Sequence, residues 1–211
     1  IKFMIYTKST FKDKNFKVPN KEEITLIKNN IGYDKIILDK KNKTLFLKNS
    51  KIKLDFGAIG KGYAIDKAVE VLKKEGITSA FIDSVSNQYY LGSPPKSNFW
   101  KVGITHPRNK DKIIKYLELK DTSISTSGDY EQFFIHENKR YSHIIDPISG
   151  YPISDSIAST VISKSATFAD ALSTSVLLLN DNDIKSLKTR FNSTYILKIA
   201  NKNNKIFKKE Y

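Results

Sequence analysis

Asp170 and Thr174, four residues apart in "ATFADALSTSVLLL" (residues 166 to 179), are the side chains of this sequence best suited to hard-oxygen chemistry. A helix is predicted from about Thr167 to Leu179, and a spacing of four puts both on one face. A carboxylate and a hydroxyl side by side, completed by a backbone carbonyl, waters and phosphate oxygens, suit magnesium, which takes few protein ligands. The same spacing also suits a plainer role, with Asp170 answering the positive end of the helix dipole.

A second stretch, "LDFGAIGKGYAID" (residues 54 to 66), has the look of a phosphate loop: an apolar run, glycines, a lysine, then a helix. A P-loop needs four residues between its first glycine and the Gly-Lys pair, and a Ser or Thr after the lysine to ligate magnesium. Here only Ala58 and Ile59 separate Gly57 from Gly60-Lys61, and Gly62 follows. A nucleotide-hydrolase loop is excluded. What remains is a pliable backbone and a cation near a helix N-terminus, where unpaired N–H groups favour an anion. Two further stretches are polar and turn-rich. "TSGDYEQFF" (126 to 134) predicts a tight turn at Ser127-Gly128-Asp129. "SHIIDPISGYPI" (142 to 153) places His143 ahead of the turn dipeptides Asp146-Pro147 and Ser149-Gly150, before a strand. A histidine there serves as a structural hydrogen-bonding group or as an acid–base residue.

The elements that must position these residues follow from periodicity and caps. "VPNKEEITLIKNNIGYDKI" reads as a helix with Asn20 as N-cap, Glu23 closing a capping box and Gly32 as stop. "KIILD" and "TLFLK" form a hairpin about the turn Lys40 to Lys43, and "KIKLDF" is expected as a third strand. Beyond Gly62, Ile65, Val69 and Leu72 recur at helical spacing until Gly76. Strands are expected at "SAFID", "QYYLG", "WKVGI" and "KYLELK", with a closing hairpin in "STYILKIANKNNKIFKK". Strands and helices do not alternate. The pattern predicts an α+β fold, a largely antiparallel sheet with packed helices, in one domain over residues 1–211.

The chain has 211 residues, 39% hydrophobic and 27% charged, enough for a substantial core. No apolar run approaches the ~18 residues of a membrane-spanning helix. The absence of cysteine excludes disulfides and thiolate chemistry. A net charge of +14 would suit a nucleic-acid-binding module, yet lysine is spread evenly through "KNKTLFLKNSKIK" and "NKNNKIFKKEY" rather than gathered on one face. No nucleic-acid partner is expected on that ground. The chain opens at Ile1, inside what reads as a folded segment, so an upstream piece is expected.

Taken together and in order, "LDFGAIGKGYAID", "TSGDYEQFF", "HIIDPISGYPI" and "ATFADALSTSVLLL" closely resemble the ApbE family of FAD:protein FMN transferases, the similarity running from about Pro19 to Leu179. The resemblance implies a magnesium-dependent enzyme that cleaves FAD, attaches FMN through a phosphoester to a Ser or Thr of an acceptor flavoprotein, and releases AMP. Some family members instead hydrolyse FAD to FMN and AMP. It assigns Asp170 and Thr174 to magnesium, with the Gly60 carbonyl as third ligand. Asp55, Gly57, Lys61, Tyr63, Ser127, His143 and Ile144 would contact FAD. His143 would act either as general base toward the acceptor hydroxyl or in orienting the phosphate, and Asp170 would be essential for catalysis. The family implies a periplasmic or cell-envelope location with a lipoprotein tether upstream. Two departures are plain: members begin well upstream, with a segment that contributes to the FAD site, and Val85-Ser86 replaces a usual Gly-Gly pair in "FIDSVSNQYYLG". A degenerate relative that binds flavin without turning it over is the expectation those departures support.

Overall fold

The computed structural model describes residues 18–191, 195–202 and 205–211. In chain order its elements begin with helix α1 (Lys21–Asn30), β1 (Ile36–Asp39), β2 (Thr44–Leu47) and helix α2 (Gly60–Lys74). Seven strands follow: β3 (Ala80–Ser84), β4 (Asn87–Leu91), β5 (Trp100–His106), β6 (Asn109–Leu119), β7 (Thr122–Gly128), β8 (Phe133–His136) and β9 (Lys139–Ser142). The chain closes with β10 (Ser156–Ser163), α3 (Ala166–Leu178), α4 (Asp181–Arg190), β11 (Tyr195–Lys202) and β12 (Lys205–Glu210). These divide into two compact units, one of the described residues up to Asp55 with Gln132–Ile153, the other of Phe56–Glu131 with Ser154–Tyr211.

In the first unit α1 begins as its sequence requires. Asn20 Oδ1 accepts from the Glu23 N–H and Glu23 Oε2 from the Asn20 N–H, both at 2.9 Å, a closed capping box. The helix stops one residue before Gly32, at an extended Ile31 whose N–H donates to Lys28 O. β1 and β2 pair antiparallel, and Asp39 Oδ1 accepts the Lys41 and Asn42 N–H groups across their turn. The expected third strand over "KIKLDF" does not form. Of its apolar residues only Ile52 is buried, while Leu54 and Phe56 are exposed, so no face exists to hold a ladder. A second hairpin, β8–β9, lay unread in the sequence.

The second unit is built on a six-stranded sheet of order β12-β11-β10-β7-β4-β3, every pair antiparallel. Adjacent residues on a strand serve opposite faces. Tyr90, Ile124, Ile162 and Leu197 pack in one core cluster with Ile104 of β5 and Leu119 of β6. Their neighbours Tyr89 and Leu91 meet Ile65 and Val69 of α2, and Val161 and Ile196 meet Leu172 and Val176 of α3 and Ile184 of α4. The α+β, antiparallel reading of the sequence is therefore the fold.

Helix α2 carries the expected stripe and ends in a Schellman arrangement: Gly76 has φ +76° and the Ile77 N–H donates to Leu72 O. Sequence reasoning also missed the central strands β7 and β10. "TSISTSG" and "SIASTVIS" are rich in Ser and Thr, and β10 is buried along its whole length. Ser127 accordingly lies in a strand and not in a tight turn; the turn starts at Gly128, where a Cβ would fall 2.4 Å from the Tyr130 ring.

Candidate functional site

The second unit brings the glycine-rich stretch and the 166–179 helix into contact. Gly62 in the first turn of α2 sits against α3 so closely that a Cβ there would lie 2.2 Å from Ala166 O and 2.8 Å from Asp170 Cβ. At that crossing the Gly62 N–H, one of the helix's orphan donors, reaches Asp170 Oδ2 at 2.9 Å. Asp170 is only 3% exposed. Among the described residues it has no cationic partner and no second hydrogen bond to its carboxylate. A buried carboxylate held by one peptide N–H is short of positive charge.

Asp66, one helical turn further along α2, fixes this crossing. Its carboxylate accepts from Ser165 Oγ (2.8 Å), the Ala166 N–H (2.7 Å), the Thr167 N–H (3.0 Å) and Thr167 Oγ1 (2.6 Å). With Ser165 accepting from Phe168 N–H and giving its carbonyl to Ala169 N–H, every orphan donor of the α3 N-terminus is satisfied. Burial works against the Asp66 charge, but those hydrogen bonds outweigh it and hold the carboxyl below its usual value.

Behind Asp170 lies a cluster of hydroxyls from β7 and α3. Thr174 Oγ1 is 3.1 Å from Ser127 Oγ, which is 2.8 Å from Ser173 Oγ; Ser173 Oγ is 3.1 Å from Ser125 Oγ and donates to Asp170 O at 2.9 Å. Ser125 donates to the carboxamide of Asn87, which is fully buried and whose Nδ2 has no partner among the described residues.

One donor at the N-terminus of α2 remains for an anion. Phe56 O takes the Ile59 and Gly60 N–H groups at 3.0 and 2.7 Å in the turn through Gly57, and Ile59 supplies no side-chain cap. Gly60 opens the helix, so its carbonyl has one lone pair in the helix ladder and a second to offer. The Lys61 N–H has no acceptor among the described residues, and the Lys61 and Tyr63 side chains are exposed.

In the first unit His143 follows β9 directly rather than preceding a strand. Its N–H and its Nδ1 both point at Gln132 O, at 3.0 and 2.9 Å. A carbonyl only accepts, so Nδ1 carries the proton and Nε2 is the basic nitrogen of the neutral ring. Ile144 is buried, with its N–H on Ser142 Oγ and its carbonyl accepting the Ile153 N–H, so one lone pair of that carbonyl is all the polar capacity left for a ligand. Asp146 accepts from the Ile148 and Ser149 N–H groups, and Gly150 closes the turn at φ +79° against Ile24 of α1. Asp55 is exposed.

The family model described as the ApbE family matches residues 4–197. This chain belongs to the ApbE family. An FAD:protein FMN transferase of Klebsiella pneumoniae is 35% identical over 141 residues, 66% of this chain and 43% of that protein; one of Treponema pallidum is 35% identical over 146 residues, 64% and 40%. The ApbE protein of Thermotoga maritima superposes with a TM-score of 0.80 at 31% identity, covering 92% of this chain and 63% of the other. The chain thus spans about half the length, or less, of these curated relatives.

The ApbE chain's donor set suits the magnesium that the family implies. Among the described residues no three His, Cys, Asp or Glu side chains gather to hold a metal. Magnesium does not need them: one carboxylate with an oxygen unclaimed, one hydroxyl and one carbonyl leave places for water and phosphate. Two features escaped sequence reasoning. Asp66 lay within a quoted motif, but its partners are about a hundred residues away. Arg108 in the β5–β6 turn grips Asp129 through two bonds of 2.7 and 2.6 Å, beside a cavity of about 210 Å³ between the β5 strand and the sheet. Val85, Ser86, Thr126 and Tyr130 line it, the last with its phenol pushed up to about 12 by burial. Val85 takes a positive φ of +60°, a conformation glycine adopts freely, and is 88% exposed.

Proposed function

We propose that this chain is the flavin-transferring domain, acting as one unit, of a magnesium-dependent FAD:protein FMN transferase. The observation that carries the reading is the α2–α3 crossing: a buried carboxylate short of positive charge bonds the Gly62 N–H beside the Lys61 N–H, which has no acceptor among the described residues, at a helix N-terminus that bears a lysine. A cation and a diphosphate are complementary occupants of such a place. Magnesium, when bound, would neutralise phosphate charge.

Asp170, Thr174 and Gly60 O would hold the cation, while the Lys61 N–H and side chain would bind phosphate oxygens. In the reaction the hydroxyl oxygen of an acceptor Ser or Thr bonds to the FMN-side phosphorus, the bond to the AMP oxygen breaks, and AMP leaves. His143 Nε2 accepts the hydroxyl proton, the role its Nδ1–H bond to Gln132 prepares. Asp55, Gly57, Tyr63, Ser127 and the Ile144 backbone would complete the flavin contacts. A cell-envelope location with an upstream tether rests on the family resemblance alone.

The test is to incubate the protein with FAD, magnesium and an acceptor peptide and to measure AMP and peptide-bound flavin. Both are expected. AMP without bound flavin would identify hydrolysis instead, and FAD binding without AMP a non-catalytic relative. His143→Ala should lower turnover by about 10²-fold or more with FAD affinity retained, the usual scale for a lost general base. Lost affinity at unchanged turnover would make His143 a binding residue.

A further inference from the structure

The hydroxyls behind Thr174 form a chain whose direction follows from counting protons. Each hydroxyl has one proton and two lone pairs. Ser173 donates its proton to Asp170 O. Ser127, 2.8 Å from Ser173, must then be the donor in that pair. Its proton being spent, Ser127 accepts at 3.1 Å from Thr174 Oγ1. Thr174 is left with lone pairs only. Ser125 Oγ also lies 3.1 Å from Ser173 Oγ, but with its own proton on the Asn87 carboxamide and that of Ser173 on Asp170 O no proton lies between them, so Ser125 stands outside the chain.

We propose that Ser127 and Ser173 are positioning residues that hold Thr174 as a lone-pair donor to the cation by drawing its proton inward to the Asp170 carbonyl. The inference rests on the reading of Asp170 and Thr174 as magnesium ligands. A hydroxyl ligates a hard cation only through oxygen, and a proton turned toward the cation opposes binding. Ser173 is fully buried, so no water competes for the direction of the chain, and hydrogen bonds in such surroundings reinforce one another. Groups hydrogen-bonded to metal ligands generally orient them and raise their basicity. Because the chain ends on the backbone of Asp170, it also couples the two side-chain ligands to each other.

The direction makes a prediction that a purely structural role does not. Ser127 and Ser125 are neighbours on β7, each with two hydroxyl-mediated contacts into the cluster, but only Ser127 accepts the Thr174 proton. In full-length protein, Mn2+ binding followed by electron paramagnetic resonance should weaken about tenfold in Ser127→Ala and in Ser173→Ala, the lower end of the usual loss when a partner of a metal ligand is removed. Ser125→Ala should bind Mn2+ within about twofold of wild type while losing thermal stability comparably, and Ser127→Thr, which keeps the hydroxyl, should retain affinity. If affinity in the four variants merely follows their melting temperatures, or if Ser127→Ala binds Mn2+ like wild type while Asp170→Ala does not, the relay is wrong and the metal site stands. Absence of Mn2+ binding in wild type, or binding that survives Asp170→Ala, overturns the metal reading and the relay with it.

Discussion

Asp66 ties the α2–α3 crossing to pH. Its folded carboxyl lies below the ordinary 3.8, because four hydrogen bonds to the α3 N-terminus outweigh its burial. A depressed carboxylate contributes stability that is present above the unfolded value and lost as pH falls through the folded one. Asp66→Asn should therefore cost about 1–2 kcal/mol at neutral pH, the scale of a lost helix cap. The difference from wild type should shrink once the pH falls below the ordinary 3.8. Denaturant titrations of both proteins at neutral pH and at about pH 2.5 measure it; a difference independent of pH would assign the effect to shape rather than charge. Val85 is the opposite case, a residue its backbone does not suit. A β-branched side chain at φ +60° is strained by about 1–2 kcal/mol, more than glycine loses in chain entropy. Val85→Gly should raise the denaturation midpoint, corresponding to roughly 0.5–1 kcal/mol. An unchanged or lower midpoint would show that the exposed turn carries no such strain.

At the scale of elements, the crossing of α2 and α3 depends on one missing methyl group. In Gly62→Ala the added carbon would overlap the carbonyl of Ala166, which is backbone at the start of α3 and has no rotamer to escape into. The helices must separate, at a cost of about 3 kcal/mol, the upper part of the usual range for overpacking. The same separation would pull Gly62 N–H from Asp170, so Mn2+ affinity should fall with stability. Gly60 provides the control, because its Cβ would meet only Phe56 Cβ at 4.0 Å. Gly60→Ala should be neutral or stabilising by up to about 1 kcal/mol, through helix propensity. Chemical denaturation of the two alanine variants decides it: equal destabilisation would mean that the crossing tolerates the methyl group.

At the scale of the whole molecule, charge sets the response to salt. A net +14 spread over 211 residues disfavours the compact state through self-repulsion. The Debye length falls from about 30 Å at 0.01 M to about 10 Å at 0.1 M. Raising sodium chloride across that interval should therefore raise the melting temperature by several degrees, a rise of the size that about 1 kcal/mol produces. A melting temperature that falls with salt would mean that attractive ion pairs such as Lys115–Glu210 and Arg108–Asp129 outweigh the excess of like charge.

The sequence by itself determined the α1 capping box, the apolar stripe of α2, the β1–β2 and β11–β12 hairpins and the pairing of Asp170 with Thr174 on one face. Each depends on residues within a few positions of one another, and local geometry enforces it. It also carried the family, because four motifs in order are a property of the chain and not of its folding. The failures have physical causes as well. "KIKLDF" has the alternation of a strand but no face to bury, whereas β7 and β10 lack the expected apolar composition and are strands because neighbours on both sides complete their hydrogen bonds. Only the tertiary structure could turn Asp66 into a cap for α3, bring Gly62 N–H to Asp170, join Arg108 to Asp129 and set the Thr174 hydroxyl against that of Ser127. Those contacts span from 21 to 108 residues of chain. No periodicity encodes a hydrogen bond at that distance: it exists only after the sheet has fixed which segments lie side by side.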